Sequence, residues 1–206
     1  MVVSVGQSCI DGKRSLFLQY LRNRQVEAID GSITNIPLEN DCFDLVCAFD
    51  VIEHVADDRK AMEELLRVCR PGGTICITVP AFQSLWSHHD VINGHKRRYK
   101  KKQLQNLVKQ QTAATVYISY FNSILFLPIL GFRKLQAFMP GSRKGKDSDF
   151  SYFKKNKLIN KILKAIFGME LFLLRSVKLP FGVSLMMFLR KSANPENGPH
   201  EKKANA

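Results

Sequence analysis

Glycine is scarce in the first third of the chain. Before residue 72 it occurs only as Gly6, Gly12 and Gly31, and no GxGxG occurs. That leaves no glycine-rich turn of the kind that lets backbone approach a bound nucleotide closely. The five cysteines show no CxxC and no Cys/His ligand spacing, which argues against a zinc ribbon or a disulfide framework. They read as reduced, packed thiols of a cytoplasmic protein. No apolar run reaches the roughly 20 residues that span a bilayer. The longest, Phe121 to Met139, is interrupted by Pro128, Gly131, Arg133 and Lys134. The N-terminus has no apolar core adequate for a signal peptide, and no internal repeat is present. Acidic residues are sparse in the second half. Residues 1–90 carry 8 Lys/Arg against 13 Asp/Glu, and residues 91–206 carry 23 against 5. This asymmetry suggests an anionic partner for the second half, be it a membrane surface, a phosphorylated acceptor or nucleic acid, or else a solvated basic face.

What the chain has is a strand–helix–strand unit from Phe43 to Pro80. Phe43 to Phe49 is a near-continuous apolar run, as expected of a strand buried on both faces of a parallel sheet. It ends in the polar cluster Asp50, Glu53 and His54. Asp57 or Asp58 can cap a helix whose Met62, Leu65, Leu66 and Cys69 fall on one face, with Glu63 and Arg67 as an i,i+4 pair. Pro71-Gly72-Gly73 ends that helix, and Thr74 to Val79 is the next parallel strand. In such sheets ligands bind beyond the carboxyl ends of the strands. The expected site is therefore the loop at Asp50–His54 together with the one from Pro80 to Asp90.

Upstream, Val2–Val5 and Val26–Ile29 read as short strands and Ser15–Arg24 as a helix. Downstream, Lys101–Gln110 reads as a helix and Ala114–Tyr120 as a strand. Pro140–Lys157 is a basic linker, Leu158–Leu174 an amphipathic helix with Lys161 and Lys164 on its polar side, and Val183–Leu189 a last strand. Residues 192–206 lack apolar content and are expected to be disordered. One domain over residues 1–191 suits a chain of 206 residues, with residues 121–178 as a helical, basic insertion before the last strand.

The ordered set FDLVCAFDVIEHV, RVCRPGG and TVPAFQSLWSHHDVINGHKRRY resembles the class I S-adenosylmethionine (SAM)-dependent methyltransferases, in particular the bacterial branch that modifies small or lipid-linked metabolites. The resemblance implies a Rossmann-like α/β fold with a mostly parallel sheet, helices on both faces and an antiparallel C-terminal strand, the first strand or strands being missing or degenerate. It implies SAM as cofactor and methyl transfer to a small or lipid-linked, anionic acceptor. Two alignments of the N-terminal part stay open. In one, Val2–Gly6 is a degraded first strand and turn, and Asp30 is the ribose-side acid. In the other, VEAIDGSITNIPL is the third strand with its loop, and Ser32 and Ile33 stand on the adenine side.

By the same resemblance Phe49, Asp50, Val51 and His54 line the cofactor site. Trp86, His89, Asp90, His95, Arg98 and Tyr99 form an acceptor-side lid, with His54, His89 and Tyr99 as the catalytic candidates. His54 suits a general base by its ordinary pKa, or simply bonds backbone at the head of the helix. His89, Asp90 and His95 match no strong ligand spacing, so no metal is expected. The basic run Lys96–Lys102 can meet phosphate, RNA or lipid headgroups, or face water. The strand end AFDVIEH lacks the Asn/Asp-Pro-Pro-aromatic motif of base-amine methyltransferases, which argues against nucleic acid. A peripheral contact with an anionic inner-membrane surface is the further partner expected. The contrasting reading is a catalytically impaired remnant that binds a membrane or a partner through its basic half.

Overall fold

Strands β1 (Phe43–Phe49) and β2 (Cys69–Pro80) pair in parallel, with Cys47 beside Cys76 and Phe49 beside Thr78. The computed structural model describes residues 29–109, 111, 113–131 and 157–193. The strands expected at Val2–Val5 and across residues 26–28, the helix at Ser15–Arg24, most of the basic linker and the tail from residue 194 lie outside them.

Helix α1 (Asp58–Val68) crosses between the two strands. Asp57 is its cap, accepting from the Lys60 amide at 2.9 Å. Its Ala61, Met62, Leu65, Leu66 and Val68 enter the core. Arg67 pairs with Glu64, not with the expected Glu63, which instead meets Arg59 and Lys60 on the exposed side. The reason is burial. Glu64 faces inward, accepts from the Ile36 amide at 2.8 Å and takes two bonds from Arg67, while Arg67 also donates to the Ile36 and Leu38 carbonyls. This clamp fixes the loop that leads into β1.

Pro71-Gly72-Gly73 does turn the chain, within an irregular start of β2. Gly72 has φ +75, and a Cβ on Gly73 would lie 2.7 Å from Cys69 Sγ and 2.9 Å from the Arg70 carbonyl. Helix α2 (His88–Ile92) is a single short turn held by a capping box between Ser87 and Asp90. Helix α3 (Lys101–Lys109) buries Leu104 and Val108. It leads to β3 (Ala113–Phe121), and residues 126–131 are again helical. Helix α4 (Lys157–Leu174) precedes β4 (Ser184–Lys191).

The sheet order is β1-β2-β4-β3, with β4 antiparallel to both its neighbours. Strands β1, β2 and β3 therefore point the same way and end at one edge. This is the Rossmann-like arrangement with an antiparallel last strand. The main core lies on one face, where Val46, Ile75, Ile77, Leu185, Met187, Leu189 and Ile118 meet α1 and α3.

Two expectations need correction. Strand β1 is not buried on both faces: Val46 and Ala48 are buried, but Leu45 is 58% and Phe49 56% exposed. Among the described residues nothing covers that second face of β1. The thiols are not all packed either. Cys69 and Cys76 are buried, whereas Cys42 and Cys47 are exposed.

Candidate functional site

Each of the three co-directional strands ends in a residue with left-handed backbone, Asp50 (φ 50), Phe82 (φ 54) and Asn122 (φ 60). Such backbone is rare outside glycine, most of all for a bulky residue like Phe82, and it gathers at functional edges. It turns the chain abruptly off the sheet. As a result the 50–54 loop and the 81–99 loop face each other at the carboxyl edge.

The two loops are tied directly. Lys96 N donates to the Glu53 carbonyl at 2.8 Å, and Arg97 reaches Asp58 and the carbonyls of Val55 and Ala56. His95 is thereby laid against His54, the ring centroids 4.7 Å apart and edge to face. Asp50 anchors its own turn through Thr78, whose carbonyl and hydroxyl both take the Asp50 amide. Burial raises the Asp50 carboxyl above its usual range, opposed by the Thr78 hydroxyl and by the two imidazoles. Burial, then the neighbouring His95, lowers His54, so its imidazole is neutral at pH 7. Glu53, fully buried, is pushed up to about 8, by burial first and then by the Asp50 charge.

The structure corrects the role of three residues expected on the acceptor side. Asp90 is buried and receives Arg98 Nε at 2.7 Å and the His95 ring Nδ1 at 2.9 Å. Burial works against its charge, but Arg98 and His95 hold its carboxyl below the ordinary range. Arg98 is buried too and spends a second donor on the Ala81 carbonyl. Tyr99 is buried with its hydroxyl on Asp58 at 2.8 Å, and burial and that carboxylate push its pKa far up. These three build the loop and do not present themselves to an acceptor. Trp86, His89 and His95 stay partly accessible. The basic run is likewise divided: Arg97 and Arg98 turn inward, while Lys96, Lys100 and Lys102 face water.

On the cofactor side, Phe49 is open to solvent, Val51 and His54 are half-buried, and Asp50 is exposed as a residue while its carboxyl end is partly desolvated beside Thr78, His95 and His54. Asp30 is exposed. Ser32 opens a tight turn, its hydroxyl on Thr34 and its carbonyl on the Asn35 amide. Ile33 belongs to the core, so only its backbone can line a site. Two features escaped the sequence reading. Glu53 was visible in it only as part of a polar cluster. An aromatic row, Phe82 stacked on Tyr120 at 4.9 Å and continued by Phe126 and Phe181, walls the β3 side of the edge. Only the position of Phe82, two residues past the end of β2, could have signalled it.

The strand order and the loops at this edge define a methyltransferase-type Rossmann-like domain, and the comparisons with known proteins agree. The family described as "Methyltransferase domain" matches residues 11–77. Norajmaline N-methyltransferase of Rauvolfia serpentina is 34% identical over 77 residues, 37% of this chain and 26% of that protein, so the match spans about a quarter of the relative's length. Phosphoethanolamine N-methyltransferase 2 of Haemonchus contortus, solved with SAM, superposes with a TM-score of 0.54 at 15% identity over 93% of this chain and 43% of that one. The [4+2]-cyclase SpnF superposes equally well, at 0.54 and 14% identity over 93% and 66%. At these identities the structural likeness is one of fold. The match over residues 11–77 is thus to the methyltransferase domain family, and the fold is the one shared by SAM-dependent methyltransferases and their structural relatives.

Proposed function

We propose that the chain transfers a methyl group from SAM to a small or lipid-linked, anionic acceptor. The observation that carries this reading is the meeting of Asp50, His54 and His95 at the carboxyl edge, in a chain that matches the methyltransferase family immediately around β1 and α1. The likeness to a cyclase means that fold alone does not choose the reaction, so the weight falls on these groups.

The residues at the edge suit the cofactor. Exposed Phe49 offers an apolar surface beside the Asp50 carboxyl, and the sulfonium of SAM is a cation that favours both. Asp50, Val51 and His54 would hold it from the β1 side, with the Ser32–Ile33 turn and Asp30 on the adenine side. SAM, when bound, supplies an electrophilic methyl group for in-line displacement. The protein's part is alignment, water exclusion and a proton acceptor. His54, neutral at pH 7, can take the acceptor's proton. Asp90 fixes the His95 tautomer by occupying Nδ1, which leaves Nε2 as a bare acceptor. The row from Phe82 to Phe181 offers an apolar wall for an acceptor's hydrocarbon part.

A titration of the purified chain with SAM tests this. Saturable one-to-one binding is expected, at least about tenfold weaker than in a relative with a GxGxG turn, since each charged hydrogen bond is worth roughly 1.5–3 kcal/mol. Absence of saturable binding would overturn the reading.

A peripheral membrane contact is a second part of the proposal, supported by α4. Among its described side chains, Glu170 is buried and Leu163, Ile166 and Leu174 are partly covered along one side, while Ile162, Met169 and Phe172 stay exposed next to Lys161 and Lys164. That is the composition of a helix lying in a bilayer interface. No helix among the described residues is long and apolar enough to cross a membrane.

A further inference from the structure

One of the two fully buried carboxyl groups at the edge, Glu53, has no hydrogen-bond partner for its side chain. Glu53 is 0% exposed in the turn between β1 and α1, and neither Oε1 nor Oε2 is bonded. Buried polar groups nearly always find a partner, and leaving one unsatisfied is costly. Two imidazoles stand next to it. His54 Nε2 is 3.8 Å from Glu53 Oε1, and one ligand atom from each of Glu53, His54 and His95 lies within 4.8 Å of the other two.

The His95 ring is held in place from behind, and His54 lies against it. Asp90 takes His95 Nδ1 at 2.9 Å and is itself held by Arg98 at 2.7 Å, while the His54 ring packs edge to face on His95 with centroids 4.7 Å apart. A carboxylate behind an imidazole, as Asp90 stands behind His95, is the arrangement that orients metal-ligating histidines and fixes their tautomer.

We propose that Glu53, His54 and His95 form a binding site for a divalent transition-metal cation, with Asp50 closing its open side. Two imidazole nitrogens with one or two carboxylates suit Zn²⁺, Mn²⁺ or Fe²⁺ better than Ca²⁺ or Mg²⁺. Ligand distances of about 2.0–2.2 Å would draw the three side chains together by rotation about their χ angles. The sequence does not show this set, because Glu53 and His54 are separated from His95 by about 40 residues, and no metal was expected from His89, Asp90 and His95. In the fold Asp90 is taken by Arg98, and Glu53 and His54 come from the other loop. A cation here takes the lone pair of His54 that would otherwise receive the acceptor's proton. It would instead lower the pKa of a bound acceptor hydroxyl, a use that rests on the methyl-transfer reading, as the site itself does not.

The test is a titration of the whole chain with Mn²⁺, followed by electron paramagnetic resonance, because that ion has little affinity for the exposed thiols of Cys42 and Cys47. One ion per chain is expected. Glu53→Gln and His95→Asn should each raise its Kd at least tenfold, with far-UV circular dichroism confirming the fold, and His88→Asn should leave it unchanged. If Glu53→Gln does not fold, His95→Asn and His54→Gln decide. No saturable one-to-one binding, or unchanged affinity in the folded variants, would overturn the site. A SAM titration of the same samples separates the two readings. Loss of Mn²⁺ binding with SAM binding intact sinks only the metal site, and the reverse sinks only methyl transfer.

Discussion

Breaking the Asp90–Arg98 pair from either side should cost about 3–5 kcal/mol, because the partner left behind is a buried, uncompensated charge. Urea melts of Asp90→Asn and Arg98→Met would show it, and a loss under 1 kcal/mol would mean that water reaches the pair. Tyr99→Phe should cost less, about 1–2 kcal/mol, since Asp58 keeps Arg97 as a partner. A pH test belongs to Glu64. The Arg67 hydrogen bonds hold its carboxyl below the ordinary range against the opposing effect of burial, with the Ile36 amide helping. Its folded pKa is therefore below its unfolded one. The stabilisation is complete above the unfolded value and is lost as pH falls through the folded one. Glu64→Gln should accordingly be less stable than the parent at pH 7, and the gap should narrow towards pH 3. A constant gap would contradict the assignment. At this scale little was legible in advance. His95, Arg98 and Tyr99 lie within five residues of sequence, yet one is partly accessible at the edge and two are buried. Only the path of the loop after Phe82 decides which, and local sequence does not encode it.

The elements themselves were far easier to read. Helix α1 shows its cap at Asp57 and its apolar stripe directly in the sequence, and the apolar run Val183–Leu189 marks the last strand, observed as Ser184–Lys191. The covering of β1 was misjudged, since an apolar run reports a tendency to be buried and not what is present to bury it. The Gly73 position gives a sharp test of the close approach between β2 and the end of α1. Gly73→Ala puts a methyl group 2.7 Å from Cys69 Sγ and 3.1 Å from the Asp44 carbonyl. It should destabilise by about 1–3 kcal/mol, as overpacking does. Gly72→Ala meets no neighbouring atom, so it should lose only what positive φ costs an alanine, about 1 kcal/mol or a little more. Equal losses in the two variants, measured by thermal unfolding, would mean that the strand simply shifts to admit the methyl.

Across the whole molecule, charge and apolar exposure coincide on one part of the fold. The net charge of +13 comes entirely from residues beyond 90, and α4 in that half leaves Phe172 70% exposed. Each Lys or Arg held near an anionic leaflet is worth about 1 kcal/mol, and that attraction decays over a Debye length of about 8–10 Å at physiological salt. Apolar insertion by Ile162, Met169 and Phe172 is indifferent to salt, so the two contributions can be separated. Sedimentation with vesicles of anionic lipid should capture the protein at low salt and release most of it as salt rises, while neutral vesicles capture much less. Phe172→Glu with Ile162→Glu should abolish capture yet change stability by no more than about 0.5 kcal/mol, as expected for exposed positions away from the core. Equal capture by neutral and anionic vesicles would make insertion the driver and leave the basic half without this role. No capture at low salt would remove the membrane from the proposal and leave the exposed side of α4 to water.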